Sequence, residues 1–238
     1  MLKALLTDID GTITDSSRRI HTGAVEAIRS LVDEGIDVVL ASGNTSCFMD
    51  ALCKMIGTQG TFIAENGGVF RVGFTGTLHI KGDQGVCKKA LETLQGYYHK
   101  KGTDLVLFSP SYRFSDLAFA RTVPVEEVKN ILMDQPVTVL DTGYAIHLQS
   151  PGIDKGTALD ALAKEMGLVP SDFLAIGDSL NDIQMLKKAR IGVTVANGHP
   201  DTKAVAEFIA QKEYGPGFVE AIAKYSSYFL ARNRSTTI

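Results

Sequence analysis

Short apolar runs alternate with helical patterns in the first 64 residues, and this alternation constrains the fold more than any other feature. Residues 3–7, 36–41 and 61–64 are apolar along most of their length, as is typical of strands buried on both faces. Amphipathic patterns between them predict helices that start at Thr22 and near Phe48. Strands that alternate with helices favour a parallel sheet covered on both sides. We therefore expect an α/β fold with a doubly wound parallel sheet.

The pattern changes after residue 68. Residues 69–72 and 77–80 predict a hairpin. Six elements then follow in the order helix, strand, strand, helix, strand, strand, and they lie at residues 83–101, 104–108, 113–121, from 124 on, 137–140 and 144–148. Consecutive strands joined by turns predict an antiparallel sheet with both helices on one face. We expect residues 83–152 to form a small α+β domain inserted into a core domain of residues 1–82 and 153–238.

The first pattern resumes after the predicted insertion. A helical pattern begins near Asp154, and strands and helices are predicted in alternation at residues 173–176, 182–189 and 191–195 and after Pro200. The polar tail at residues 233–237 is expected to fray. The core domain is thus expected to be built from both ends of the chain.

The charge balance excludes several classes of protein. The chain has 24 basic and 27 acidic side chains, a formal net charge of −3, and lacks the basic surface that nucleic acid requires. Its apolar segments are shorter than a membrane span or a signal-peptide core, so we expect a cytoplasmic protein without a membrane partner. The three cysteines, Cys47, Cys53 and Cys87, lack paired spacing and are expected to be buried thiols.

Polar side chains follow the predicted core strands at the points where those strands end. Asp8 and Asp10 come after the first strand and are two residues apart, so both are expected to face one side of the chain. Three further groups of mostly polar residues follow other predicted strands. They consist of Ser42, Gly43 and Asn44, of residues 65–67 and of residues 177–182. Lys155 stands where the chain returns from the insertion. Ligands of open parallel sheets bind at the carboxyl ends of the strands, so these groups predict one site.

The charges of this predicted site call for a cation. Four carboxylates, those of Asp8, Asp10, Asp178 and Asp182, opposite Lys155 would leave three net negative charges. Oxygen ligands select a hard divalent ion, and Mg²⁺ is expected because it accepts few carboxylates and keeps room for substrate oxygens. The metal and the lysine together suit a phosphate dianion.

The residue types at this site predict a division of labour. Asp8 is expected to attack phosphorus, because an ionised carboxylate needs no activating base. Asp10 is expected to protonate the leaving oxygen and then to activate water. Ser42 and the backbone amides after Asp8 would hold the transferring oxygens. Each motif alone also has a simpler interpretation, as a turn, a helix cap or a surface lysine, but four of them at strand ends, in order, favour the functional one.

These motifs resemble those of a known family. Asp8-x-Asp10-Gly11-Thr12, Ser42, Lys155 and Gly177-Asp178-x-x-Asn181-Asp182 are similar to the four motifs of haloacid dehalogenase-like phosphatases. The resemblance spans nearly the whole chain, and the inserted unit looks like the smaller cap of that family. It implies that Asp8 is the nucleophile, that Asp10 is the acid and base and binds Mg²⁺ through its main chain, and that Lys155 stabilises the phosphate. Asp178 and Asp182 would be the metal carboxylates, with Thr12, Gly43, Asn44 and Asn181 at the phosphate.

Shorter motifs resemble the archaeal-type phosphoglycolate phosphatases, which are close to sucrose-phosphate-phosphatase-like enzymes. The resemblance lies in Ser42-Gly43-Asn44 and in residues 65–68, 143–144 and 147–148. It implies hydrolysis of 2-phosphoglycolate, a small phosphorylated metabolite, to glycolate and phosphate. A sugar-phosphate phosphatase and a phosphomutase stay open as alternatives, as does a homodimer. A receiver-like phosphoacceptor module is disfavoured, because its aspartate would follow the third strand.

The side chains that would select the substrate are expected in the inserted domain. Arg113 and Arg121 are candidates to meet a substrate carboxylate, and His147 is a candidate to hydrogen-bond one. The alternative for each is a solvated face of the cap.

Overall fold

The computed structural model describes residues 1–230, so the predicted polar tail at residues 233–237 lies outside it. The strands are β1 (Ala4–Asp8), β2 (Asp37–Ala41), β3 (Phe62–Ala64), β4 (Val69–Arg71), β5 (His79–Ile80), β6 (Leu117–Ala120), β7 (Thr138–Asp141), β8 (Ala145–Gln149), β9 (Phe173–Gly177), β10 (Ile191–Thr194) and β11 (Phe208–Ile209). The helices are α1 (Thr22–Asp33), α2 (Ser46–Ile56), α3 (Gln84–His99), α4 (Val125–Ile131), α5 (Lys155–Glu165), α6 (Ile183–Lys188), α7 (Pro200–Val205) and α8 (Tyr214–Tyr225).

A sheet of eight strands forms the larger part of the molecule, in the order β11-β10-β9-β1-β2-β3-β4-β5. The first six in this order are parallel, and β4 and β5 continue the edge as an antiparallel hairpin. The chain moves outward from β1 in one direction through β2 and β3, and in the other through β9, β10 and β11. This arrangement confirms the predicted α/β class and places the reversal of strand order between β1 and β9, where open sheets bind ligands.

Two apolar clusters cover the two faces of this sheet. Alternate residues of β1 point to opposite faces, so Leu5 joins the cluster formed with α1, α2 and α8, whereas Leu6 joins the cluster formed with α5 and α6. All five residues of β1 are buried. The burial of β1 on both faces explains its continuous apolar sequence and fixes Asp8 at its end.

A second, antiparallel sheet has the order β6-β8-β7 and packs against α3 and α4 around a third apolar cluster. The chain enters and leaves this part through neighbouring segments, since the Asp83 amide donates to the Ser150 hydroxyl at 2.8 Å. Four strands were predicted here and three are present. Residues 104–108 contribute only an isolated bridge, between Leu107 and Phe119, because the chain turns away at Ser109, whose φ is 50°.

Some local expectations were wrong. Residues 113–116, predicted as the start of a strand, lie outside β6, because the amides of residues 114–116 donate to the Glu65 carboxylate instead of to a neighbouring strand. Both α8 and β11 escaped prediction. Cys53 and Cys87 are buried as expected, but Cys47 is exposed, because it lies off the buried stripe of α2. Within residues 1–230, none of the helices has the length and apolar character needed to cross a bilayer.

Candidate active site

The carboxyl end of β1 brings Asp8 and Asp10 into one cavity. Asp8 ends the strand and is buried, whereas Asp10 lies in the following turn. Gly11 makes that turn with a φ of 94°, a conformation that favours glycine. A Cβ at Gly11 would collide with the Asp178 carboxylate. The glycine of the Asp-x-Asp-Gly motif is therefore required by the close approach of the loop that follows β9.

Lys155 is fully buried and bridges two carboxylates that are far apart in the sequence. Its Nζ lies 2.5 Å from Asp8 Oδ1 and 2.6 Å from Asp182 Oδ1. The lysine is the first residue of α5, and a capping box of Asp154 and Thr157 fixes that end of the helix. A buried ammonium group needs such partners, because it would otherwise be stripped of water without compensation.

The loop after β9 holds two further carboxylates in defined orientations. Asp182 Oδ2 accepts the amides of Asp178 and Ser179 at 3.0 and 2.9 Å. Asp178 Oδ1 accepts the Thr12 hydroxyl at 3.0 Å, which links this loop to the turn after β1. The Asn197 side chain, from the segment after β10, donates to the Gly11 carbonyl at 2.9 Å. The segments that follow β9 and β10 thus both bond the turn after β1.

Three carboxylates converge closely enough to hold one cation. Asp8, Asp178 and Asp182 each offer an oxygen, and these atoms lie within 4.8 Å of one another. The donors are all carboxylate oxygens, the set that hard ions such as Mg²⁺ prefer. Asn181 Oδ1, in the same loop, is buried and has no hydrogen-bond partner within residues 1–230. The residues present therefore fit a hydrated divalent cation.

The pKa values of the cluster reflect burial and mutual repulsion. Burial raises the pKa of Asp8 well above its usual range, and Asp182 and Asp178 raise it further, while Lys155 opposes the shift. Burial and then Asp182 raise the pKa of Asp178 to about 7. Burial alone would lower the pKa of Lys155, but its two carboxylate partners raise it above the ordinary value. A bound cation would offset this repulsion and favour the ionised carboxylates.

The Asp10 carboxylate has different partners from that of Asp8. Arg18 forms an ion pair with Asp10 at 2.8 Å, and Asn44 Nδ2 donates to Asp10 at 3.1 Å. The same Asn44 amide group donates to Ser42 Oγ at 2.9 Å. The side chain of Asp10 thus lies outside the group of three carboxylates, next to the polar residues that follow β2.

The cavity has a volume of about 670 Å³ and lies between the two sheets. One wall is formed by loops of the large sheet and includes Asp8, Asp10, Asp178 and residues 42–45. Residues of the smaller sheet and its loops form the opposite wall, and they are Phe108, Ser109, Arg113, Thr142, Gly143, Tyr144, Ala145 and His147. The two walls meet where Arg18, from the loop after β1, stacks on the Tyr144 ring, with 3.9 Å between the guanidinium carbon and the ring centroid.

A chain of polar contacts connects the two walls. Asn181 Nδ2 donates to Asn66 Oδ1 at 2.9 Å, and Asn66 Nδ2 lies 3.2 Å from His147 Nδ1. His147 Nδ1 also lies 2.8 Å from Asp116, whose other oxygen pairs with Arg113 at 2.6 Å. Burial would raise the pKa of Asp116, but His147 and Arg113 lower it below its ordinary value. An ionised carboxylate can only accept a hydrogen bond, so Nδ1 of His147 donates to Asp116, and Asn66 Nδ2, itself a donor, contacts that nitrogen without a hydrogen bond.

Most of the residues predicted for the site lie at this cavity. Seven of the ten predicted site residues line the cavity, and they are Asp8, Asp10, Ser42, Gly43, Asn44, Asp178 and Asn181. The other three lie behind this wall: Lys155 donates to Asp8, the Thr12 hydroxyl donates to Asp178, and Asp182 accepts the Asp178 amide. Arg113 and His147 line the cavity, but Arg121 does not, and it pairs instead with Asp141 at 3.0 Å.

Sequence reasoning missed three residues that shape the site, namely Arg18, Asp116 and Asn197. Arg18 lies in a polar loop without periodicity, and its ion pair with Asp10 depends on a positive φ of 63° at Arg18 that no pattern indicates. Asp116 lies in a segment that resembled a strand, and Asn197 follows one. Since a buried acid is expensive without partners, an aspartate inside an apolar run was the one available signal for Asp116.

A family model described as haloacid dehalogenase-like hydrolase matches residues 5–116 and 125–222. The matched segments contain Asp8, Asp10, Lys155, Asp178 and Asp182, and together they make up most of the chain.

Curated proteins and solved structures are similar over almost the full length. A protein of Methanoculleus marisnigri named phosphoglycolate phosphatase is 59% identical over 234 residues, which cover 98% of this chain and 100% of that one. A protein of Methanospirillum hungatei with the same name is 50% identical over 232 residues, with 98% and 100% coverage. The crystal structure of Thermoplasma acidophilum protein 0175 superposes with a TM-score of 0.83 at 29% identity, and covers 95% of this chain and 99% of its own.

Proposed function

Because the chain belongs to the family of haloacid dehalogenase-like hydrolases and is a phosphatase, we propose that it hydrolyses 2-phosphoglycolate to glycolate and phosphate. The reaction would require Mg²⁺ and would pass through an aspartyl-phosphate on Asp8. The single observation that supports this most strongly is the contact set of Asp8, whose carboxylate ends β1, bonds the buried Lys155 and adjoins two further carboxylates.

The first step would transfer the phosphoryl group to Asp8. A carboxylate oxygen of Asp8 forms a bond to phosphorus while the bond between phosphorus and the ester oxygen breaks. Asp10 gives its proton to the departing alkoxide, so that glycolate leaves with a hydroxyl group. Asp10 suits this task because it lines the same cavity two residues from Asp8 and its carboxylate lies outside the carboxylate cluster.

The second step would return Asp8 to its starting state. Asp10 takes a proton from water, the water oxygen bonds to phosphorus, and the bond to Asp8 breaks, which releases inorganic phosphate. Lys155 remains within hydrogen-bond distance of Asp8 and would stabilise the negative charge of the carboxylate whenever it is free.

The metal site of this proposal consists of Asp8, Asp178 and Asp182, with the main chain of Asp10 as a further ligand. When bound, Mg²⁺ would neutralise charge on the phosphate oxygens. Four residues beside the cluster, namely Thr12, Ser42, Gly43 and Asn44, are proposed to hold the phosphate together with Asn181. The Ser42 hydroxyl accepts from Asn44, so its own proton is directed elsewhere and can serve a phosphate oxygen.

We also propose that residues 83–152 act as a cap, with residues 1–82 and 153–238 as the core. The support is that the smaller sheet and its loops supply one wall of the cavity, whereas the loops of the large sheet supply the other. Enclosure between the two would keep bulk water from the phosphorus during the first step. The names of the two curated relatives support the choice of substrate.

The proposal is tested by phosphate release from a panel of small phosphate esters that includes 2-phosphoglycolate and common sugar phosphates. We expect 2-phosphoglycolate to be the preferred substrate in the presence of Mg²⁺, and Asp8→Asn to abolish turnover without loss of the fold. Asp160→Asn, an exposed position on α5, is the matched control and should behave like the wild type.

Two outcomes would contradict parts of the proposal. Turnover by Asp8→Asn would reject the nucleophile. Preferential release from sugar phosphates, or transfer between sugar positions without release, would replace the proposed reaction with that of a sugar-phosphate phosphatase or a phosphomutase.

A further inference from the structure

We propose that Arg113 selects substrates that carry a carboxylate close to the phosphate, and that Asp116 orients it for this task. The inference rests on the proposed function, because it assigns the recognition of the acidic end of 2-phosphoglycolate. It concerns specificity and leaves the chemistry at Asp8 unchanged.

The cavity offers few positive groups to a second anionic group of the substrate. Among the described residues that line it, the only arginines or lysines are Arg18 and Arg113. Arg18 already pairs with Asp10 and stacks on Tyr144, and its side chain is 40% exposed. Arg113 is 5% exposed and comes from the proposed cap, on the wall opposite Asp8.

The guanidinium of Arg113 is held rigidly by three acceptors. Nε donates to the Phe108 carbonyl at 2.9 Å, and Nη1 donates to the Gly43 carbonyl at 3.2 Å and to Asp116 at 2.6 Å. Nη2 has no acceptor within residues 1–230, although the residue faces the cavity. The edge of the guanidinium that these acceptors leave unused is suited to an anionic ligand, because arginine forms strong charge-assisted hydrogen bonds to carboxylates.

Asp116 explains why the guanidinium can be held there. One of its oxygens pairs with Arg113 and the other with His147, so a single buried carboxylate orients two cavity-lining side chains. Its charge offsets that of Arg113 before substrate binds, and it bonds Nη1 and leaves Nη2 unused. His147 is then a neighbouring polar group within the same network.

The position of Arg113 also limits the length of the substrate. Arg113 donates to the carbonyl of Gly43, and Gly43 directly follows Ser42, which is proposed to hold the phosphate. A group bound by Arg113 must therefore lie near the phosphate. A single methylene separates the ester oxygen from the carboxylate in 2-phosphoglycolate, which suits this arrangement.

The test compares two substrates that differ only at the recognised end, 2-phosphoglycolate and ethyl phosphate. For Arg113→Gln we expect the KM for 2-phosphoglycolate to rise roughly 10- to 100-fold, the usual cost of losing a charge-assisted hydrogen bond. The kcat/KM for ethyl phosphate should change by less than about threefold, because that ester has no carboxylate to lose. Arg121→Gln is the matched control, since Arg121 lies on the same sheet, pairs with an aspartate and does not line the cavity.

Equal losses on both substrates would overturn the inference, because they would show that Arg113 only supports the structure. An unchanged KM for 2-phosphoglycolate would overturn it as well. If Arg113→Gln does not fold, Arg113→Lys keeps the charge beside Asp116 and decides in its place, with a selective rise in KM expected and equal losses again contradicting. A wild type that hydrolyses ethyl phosphate but not 2-phosphoglycolate would reject the proposed substrate and this inference together, whereas the losses above leave the proposed function intact.

Discussion

Glu65 shows how a single residue joins the two sheets. Its carboxylate is fully buried and accepts the amides of residues 114–116, the segment next to Arg113. The residue has a φ of 50°, a conformation that is unfavourable for most residues other than glycine. The contacts of its carboxylate hold the backbone in this conformation. Burial and the nearby Asp116 raise the pKa of Glu65 to about 7, against the effect of the three amides.

This raised pKa predicts a pH dependence of stability. The folded protein keeps the proton of Glu65 between pH 4.5 and about 7, whereas the unfolded chain loses it, so the contribution of Glu65 to stability falls as the pH rises through this window. The free energy of unfolding of the wild type, minus that of Glu65→Gln, should therefore be larger at about pH 5 than at about pH 8. Urea unfolding of both proteins at the two pH values measures it, and an equal or larger difference at the higher pH would contradict the pKa.

Sequence reasoning worked at the residue scale where a side chain follows a strand. The positions of Asp8 and Asp178 at strand ends were predicted because the apolar runs of β1 and β9 stop at these residues. Arg18 and Asp116 were not found, because their roles depend on contacts made after folding, to Asp10 and to His147. The sequence around them carries no periodic signal for such pairing.

At the scale of elements, the placement of α5 depends on a glycine far away in the chain. Gly67 has a φ of 106°, and a Cβ there would collide with the Asp154 carbonyl at the start of α5. Lys155 is the next residue, so any shift of this helix end moves the ammonium group away from Asp8.

Gly67→Ala should therefore damage both stability and catalysis. We expect a loss of about 1 to 3 kcal/mol in the free energy of unfolding from the strained backbone. Displacement of Lys155 should lower kcat roughly 10- to 100-fold. Gly96→Ala is the control, because Gly96 lies in α3 with open space around it, and it should gain about 0.5 to 1 kcal/mol without a change in kcat. Denaturant unfolding and steady-state kinetics of both variants decide, and wild-type kcat in Gly67→Ala would refute the coupling.

The elements that sequence reasoning predicted are those whose burial determines their pattern. The buried strands of the large sheet appear within a residue or two of the expected bounds. Residues 104–108 have the composition of a strand but make only two backbone hydrogen bonds to β6, through Phe108 and Ala120. The composition of a segment indicates that it can pair, but the turn at Ser109 and the geometry of the neighbouring strand determine how far the ladder extends.

For the whole molecule, the excess of buried acids makes the fold depend on its charge balance. Asp8, Asp178 and Asp182 face one another with Lys155 as their buried cation. This repulsion lowers the free energy of unfolding of the whole large sheet, because β1 and β9 are neighbouring strands in its interior.

Mg²⁺ should therefore stabilise the protein against heat. At a hundredfold excess over its Kd, the ion should add about 2.7 kcal/mol to the free energy of unfolding. Asp178→Asn removes one ligand and one repelling charge, so it should be more stable than the wild type in chelator and should gain less from Mg²⁺. Thermal unfolding with EDTA and with Mg²⁺ measures this, with Asp160→Asn as the control. A magnesium effect of the same size in Asp178→Asn would show that the ion binds elsewhere.

The adjacency of β1 and β9 also has a consequence for the order in which the protein is made. β1 leaves the ribosome long before its neighbour β9, which emerges only after the whole smaller sheet has been synthesised. Until then a central strand has an open edge, and Asp8 lacks both Lys155 and the loop of Asp178. A nascent chain can therefore bury α1 and α2 against β1 and β2 long before Asp8, Asp178 and Asp182 meet, so the cluster of carboxylates is completed only when β9 and the loop after it join the sheet.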